Sequence, residues 1–203
     1  MTQSKYIVVP NSCPVFIGTE LKCGDIQVTQ RIMIIGGAGS GKSTLASMLG
    51  KISGLPVIHI DTIYWEANWV MRPRNEIGRL TNEVADRDEW IFEGNHSETM
   101  AHRASRADML IFLDISTQRR LWRIIRRTFR HYGRSRPDMA EGCAERFDWE
   151  FFKFVANYRK NGRIRALSFV EEASSHLQKY HLRTPGDVKR FLVKAQHEIF
   201  LKN

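Results

Sequence analysis

Eight consecutive residues, Gly36-Gly37-Ala38-Gly39-Ser40-Gly41-Lys42-Ser43, bring glycines, an amine and a hydroxyl together at the spacing G-x-x-x-x-G-K-[ST]. Glycines lacking a Cβ let successive backbone N–H groups converge on phosphate oxygens, and the positive end of a following helix adds to the attraction. Lys42 is expected to reach the β- and γ-phosphates, the Ser43 hydroxyl to ligate Mg²⁺, and Thr44 to close the cradle. The chemistry implied is the binding of ATP with Mg²⁺.

Other residues with chemistry in them close short apolar runs. "PVIHI" (56–60) leads to Asp61, followed by Tyr64, Trp65 and Trp69. A carboxylate there either takes the proton of an attacking hydroxyl or caps the next element, and the aromatics either line an acceptor pocket or belong to the core. "WIFEGN" closes on Glu93 and Gly94, and "DMLIFLD" closes on Asp114. An acid at the end of an apolar strand holds Mg²⁺ beside such a loop. Both acids carry that signature, and strand order decides between them.

The elements that must position these groups follow from periodicity. Runs at 31–36, 56–60, 89–93, 108–114 and 177–182 read as strands. Helical segments are expected near 42–53, 73–88, 97–105 and 117–131, two more near 148–175, and one after Thr184. The alternation predicts an α/β, three-layer P-loop NTPase fold: a five-stranded parallel sheet flanked by helices on both faces. Residues 1–30 break the rhythm; "KYIVVP" and "PVFIG" form either an added hairpin or a loose extension, and a start codon placed too far upstream would also produce such a segment. Residues 31–203 read as one kinase-like domain with a lid at about 131–150.

Charge is concentrated. The chain of 203 residues carries a net charge of +9. Between Ile115 and Arg136 lie eight arginines and no acid, which points to a polyanionic ligand, either nucleotide or nucleic acid. On a helical projection Leu121, Trp122, Ile125, Phe129 and Tyr132 share one arc, read as the core face. Arg119, Arg120, Arg123, Arg126, Arg127, Arg130 and Arg134 share the opposing arc. The absence of interspersed acids favours arginines brought over a phosphate by a lid above a merely solvated face. Cys13, Cys23 and Cys143 have no metal-ligand spacing and imply reduced thiols in a cytoplasmic protein. No apolar run is long enough for a membrane span, and no membrane partner is expected.

From about Arg31 onward the chain resembles the bacterial P-loop proteins described as DNA topology modulation (FlaR-like) proteins, which are related to adenylate kinase. The passages that carry the resemblance are "GGAGSGKSTLA", "PVIHIDTIYW", "WIFEGNHS", "RADMLIFLD", "GRSRPDMAEGCAERFDWEF" and "HLRTPGDVKRFL". The resemblance implies Glu93 rather than Asp114 as the metal-associated acid, although the family usually has Asp there. It makes Arg123 and Arg127 the phosphate-contacting arginines and sets Arg183 and Pro185 of "RTPGDV" against adenine. Arg103, Arg106 and Gly94 fall in the acceptor region, with Arg134 at the lid side.

Function therefore reads as an ATP/Mg²⁺-dependent phosphotransferase acting on a small acceptor. A nucleotide acceptor fits the arginines; a hydroxyl acceptor fits Asp61 as base. The sequence leans to the nucleotide. Nucleic-acid binding through helix 119–136 is the alternative of a different class, not favoured because no nucleic-acid-binding motif accompanies the arginines. Oligomeric state is not readable from the sequence.

Overall fold

The computed structural model describes residues 29–200. The expected N-terminal extension, with its hairpin and with Cys13 and Cys23, lies outside the described residues apart from its last two positions.

The P-loop strand β1 (Arg31–Gly36) is followed by α1 (Lys42–Ser53), β2 (Val57–His59) and the short α2 (Ile60–Tyr64). A two-stranded ribbon comes next, β3 (Trp65–Glu66) and β4 (Val70–Met71), joined by the 3-10 turn Ala67–Trp69. Then come α3 (Arg74–Ala85), β5 (Trp90–Glu93), α4 (Ser97–Arg106), β6 (Met109–Leu113) and α5 (Thr117–His131). Beyond the lid lie α6 (Trp149–Asn157), α7 (Gly162–Glu172), β7 (Gln178–Leu182), α8 (Pro185–Lys194) and a π-helical turn, Ala195–Ile199.

The sheet runs β2-β5-β1-β6-β7, and every pairing within it is parallel. Residues of β1 alternate between the two faces. Ile32 and Ile34 pack with Leu45, Leu49 and Phe191 on one side, while Met33 and Ile35 pack with Trp90, Phe112, Ala104 and Ala166 on the other. Between Arg31 at the start of β1 and Glu93 at the end of β5 the three central strands are apolar, because both faces are covered by helices. Each fully buried Ile or Phe there contributes about 1.5–3 kcal/mol. The central place of β1 brings the ends of β2, β5, β6 and β7 around the glycine loop, where parallel sheets bind ligands.

Two expectations need correction. The segment 60–71 forms α2 and the β3–β4 ribbon, so Asp61 sits in the first turn of α2 rather than closing a strand. The larger correction concerns α5. Its buried residues are Arg120, Ile124 and Thr128, whereas Trp122, Ile125, Phe129 and Tyr132 are 60%, 42%, 82% and 68% exposed. The helix is rotated by about a third of a turn from the orientation its amphipathic pattern predicts. Carbonyls of the glycine loop and a lid carboxylate take the inward arginines, as described next.

Candidate active site

The glycine loop is built to be approached closely. A Cβ on Gly37 would lie 2.4 Å from Arg120 Nη1, and one on Gly39 would lie 2.7 Å from the Arg120 carbonyl. Arg120 is almost wholly buried: its guanidinium donates to the carbonyls of Ala38 (3.4 Å) and Val155 (3.2 Å) and stacks on Tyr158 at 4.6 Å. Arg123 Nη1 donates to the Ser40 carbonyl at 2.8 Å. On the other flank, the Asn95 side chain accepts from Gly36 N (3.1 Å) and donates to Gly36 O (2.8 Å). The loop is thereby held on both sides before any ligand arrives, which lowers the ordering cost of binding. Lys42 Nζ folds back onto the Gly37 carbonyl at 3.4 Å, and the buried Ser40 hydroxyl has no hydrogen-bond partner among the described residues. An orphaned donor beside an amine fits an anionic ligand.

Beneath Lys42, Ser43 Oγ donates to Glu93 Oε1 at 2.9 Å, and His59 Nδ1 lies 2.8 Å from the same oxygen. Burial works against a charged His59, but the Glu93 carboxylate outweighs it and the pKa is raised. Glu93 is 3% exposed. Asp61, exposed in the first turn of α2, has its carboxyl pKa raised by desolvation and by the charge of Glu93; Lys42 and the lid residue Arg136 partly oppose this.

β5 and β6 both flank β1, so strand order alone does not separate Glu93 from Asp114. Their partners do. Arg163 grips Asp114 through Nε (2.8 and 3.0 Å) and Nη2 (2.8 Å), and His181 adds a contact at 3.1 Å. Burial raises the pKa of Asp114, yet these cations prevail and hold it below the usual carboxylate range. Asp114 is neutralised; Glu93 meets Ser43. A divalent cation would find oxygens at Ser43 and Glu93, and no cluster of three or more acid, His or Cys ligands exists among the described residues. The remaining coordination would come from phosphate and water, as suits Mg²⁺.

Several expected site residues are placed otherwise. Arg103 is fully buried, donates to the carbonyls of Gly94 (3.0 Å) and His96 (3.4 Å) and lies over Phe92 at 5.1 Å. Burial pulls its pKa down to about 9. It braces the loop after β5 and presents nothing to an acceptor. Arg106, which ends α4, turns to Asp86, where α3 ends. Gly94 has φ 122°, and a Cβ there would sit 2.0 Å from Ile60 Cγ2, so packing of α2 requires this glycine. Arg127 is engaged by Glu145 at 3.1 Å, and its pKa is lowered by burial. Arg134 is exposed on the lid. Thr184 and Asp187 form a capping box for α8 with Pro185 in its first turn, while Arg183 is exposed beside it. Thr44, the third residue of α1, is exposed.

The lid folds back on the β3–β4 ribbon. Trp69 Nε1 donates to the Ala144 carbonyl (2.9 Å), Cys143 Sγ donates to the Glu66 carbonyl (3.1 Å), and Asn68 N donates to the Gly142 carbonyl (3.2 Å). Tyr64 packs edge-on against Trp65, and Trp65 against Trp69. Buried Glu145 anchors the lid, accepting from Thr128 Oγ1 (3.0 Å) and pairing with Arg127 and with Arg136 (2.9 Å). Residue types at strand and helix ends did not single out Arg120, Asn95, His59, Arg136 or Glu145. Arg136 was counted in the arginine block, and both it and Glu145 fall within the passage "GRSRPDMAEGCAERFDWEF".

No protein-family model matches the sequence, and no curated protein does. Among solved structures, shikimate kinase from Acinetobacter baumannii, in complex with shikimate, is 17% identical over 83% of this chain and 91% of its own, with a TM-score of 0.50. The fold is that of the P-loop kinases. Shikimate kinase from Bacteroides thetaiotaomicron is 17% identical, covering 83% of this chain and 97% of that one, with a TM-score of 0.48. A gluconokinase from Sinorhizobium meliloti is 13% identical, covering 86% and 98%, with a TM-score of 0.47. No helix among the described residues is long and apolar enough to cross a membrane.

Proposed function

We propose that the protein is an ATP-dependent kinase that transfers the γ-phosphoryl group to a hydroxyl of a small acceptor. The observation that carries this is the placement of Asp61: an accessible carboxylate of raised pKa beside Lys42 and Glu93. The arginines expected to hold an acceptor phosphate are elsewhere, Arg103 buried against carbonyls and Arg106 turned to Asp86. A phosphate acceptor needs cations at its own end of the cleft; a hydroxyl acceptor needs a base. The geometry thus favours the hydroxyl over the nucleotide toward which the sequence leaned. The "RPDMAEGC" likeness to FlaR-like, adenylate kinase-related proteins accords with a kinase of either acceptor class.

In this reading the glycine loop and Lys42 hold the triphosphate, and Ser43 and Glu93 hold Mg²⁺. The metal supplies charge neutralisation at the phosphate oxygens. Asp61 accepts the proton of the attacking hydroxyl, for which a pKa moved toward neutrality is an advantage. Arg123, fixed on the Ser40 carbonyl, adds positive charge at the loop. The lid, docked on the Trp65–Trp69 ribbon, keeps bulk water from the transferring group.

The test is ADP formation with a panel of hydroxyl compounds, nucleosides and nucleoside monophosphates. One hydroxyl compound should stimulate turnover, and Asp61→Asn should lower kcat roughly 10²–10⁴-fold. Stimulation by a nucleoside monophosphate that survives Asp61→Asn would reverse the acceptor class. No stimulation by any compound would reject the kinase reading.

A further inference from the structure

The outer side of α5 combines four large apolar residues with unpaired cations. Trp122, Ile125, Phe129 and Tyr132 recur at helical spacing and are all exposed, Phe129 by 82%. Along one flank run Arg119, Arg126 and Arg130, also exposed, and none has an acid partner among the described residues. Arg126 lies over the Trp122 ring at 5.5 Å. Along the other flank Leu121 and Phe151 of α6 both pack against the buried cluster of Ile124, Phe152 and Val155, and Phe151 stacks on the exposed Phe154. Four large apolar side chains on one stripe exceed the scattered exposure of an ordinary surface. Shallow grooves interrupt the stripe, one lined by Trp122, Arg123, Arg126, Arg127, Arg130 and His131.

We propose that this face of α5 docks on an anionic lipid surface, with the aromatic stripe in the outer acyl region and the flanking arginines at the lipid phosphates. Charge complementarity selects the occupant. In a second copy α5 would bring no acid between Ile115 and Arg136, so helix against helix offers the arginine row no counter-charge. A nucleic-acid duplex presents phosphates across its surface and would face the apolar centre of the patch rather than its cationic edge. A membrane interface offers apolar depth directly beside phosphate, and this helix sets its apolar stripe directly beside a row of arginines. A peripheral contact of this kind needs no membrane-spanning run. It does not rest on the kinase reading, because the face lies opposite the side of α5 that carries Arg120 against the glycine loop.

The experiment sediments the full chain with phosphatidylcholine vesicles, with and without phosphatidylserine, at about 0.1 M and about 0.5 M salt. Co-sedimentation is expected only with the anionic vesicles, weaker at the higher salt, with a blue shift of tryptophan emission. The double variant Ile125→Ser/Phe129→Ser should lower vesicle affinity on the order of tenfold or more. Val193→Ser, an equally exposed apolar site on α8, should leave it unchanged. Circular dichroism and ATP binding of the double variant establish that it folds. Absence of anionic-vesicle binding, or equal binding by the double variant, overturns the proposal. So does a self-association that the double variant abolishes, or binding to duplex DNA in place of vesicles.

Discussion

Ser43 Oγ and His59 Nδ1 converge on one oxygen of Glu93, at 2.9 and 2.8 Å. The hydroxyl that opens α1 and the imidazole that closes β2 thus share a single buried carboxylate at the end of β5. The pairing is what distinguishes Glu93 from Asp114.

Lys42→Ala should lower kcat/KM for ATP turnover by roughly 10²–10³-fold, the scale of losing one preorganised charge at a phosphoryl group. Lys42 makes only a long contact to the Gly37 carbonyl, so the thermal midpoint should barely change. Steady-state kinetics beside a melting curve check both halves.

Arg103→Leu should destabilise the fold by about 1–3 kcal/mol, because the Gly94 carbonyl loses its side-chain donor while the His96 carbonyl keeps Thr99. The acceptor KM of the folded fraction should not change. Denaturant unfolding with KM measured at low temperature tests this. A raised KM at unchanged stability would return Arg103 to the acceptor site.

Asp114→Asn leaves Arg163 and His181 without their counter-ion and should cost stability at neutral pH. The folded-state pKa of Asp114 is depressed, so its contribution is present above the unfolded value, about 3.9. It is lost as pH falls through the lower folded value. Wild type and variant should therefore differ at pH 7 and converge in strong acid, as read from unfolding midpoints across that range.

Glu145→Gln removes the carboxylate on which Arg127, Thr128 and Arg136 meet. Two crowded guanidiniums then repel without compensation, and the lid should detach from α5. Limited proteolysis between residues 131 and 148 should accelerate several-fold, with a smaller fall in thermal midpoint. Unchanged cleavage would show that the Trp69 and Cys143 contacts hold the lid alone.

What the sequence determined by itself is local. The strand–glycine loop–helix unit at 31–53, the apolar runs that became β5 and β6, and the cap at Thr184 all follow from backbone preferences and periodicity within a few residues. Tertiary structure decided whatever depends on a partner far along the chain. Periodicity showed that α5 has two faces but not which one turns inward, because guanidiniums can bury against loop carbonyls and a lid carboxylate as well as against water. Glu93 and Asp114 look alike until Ser43 reaches one and Arg163 the other. Arg103 reads as an acceptor-site cation until the carbonyls of Gly94 and His96 close around it. Hydrogen-bond partners of charged groups are chosen by the packing of distant elements, and a linear pattern carries no record of that choice.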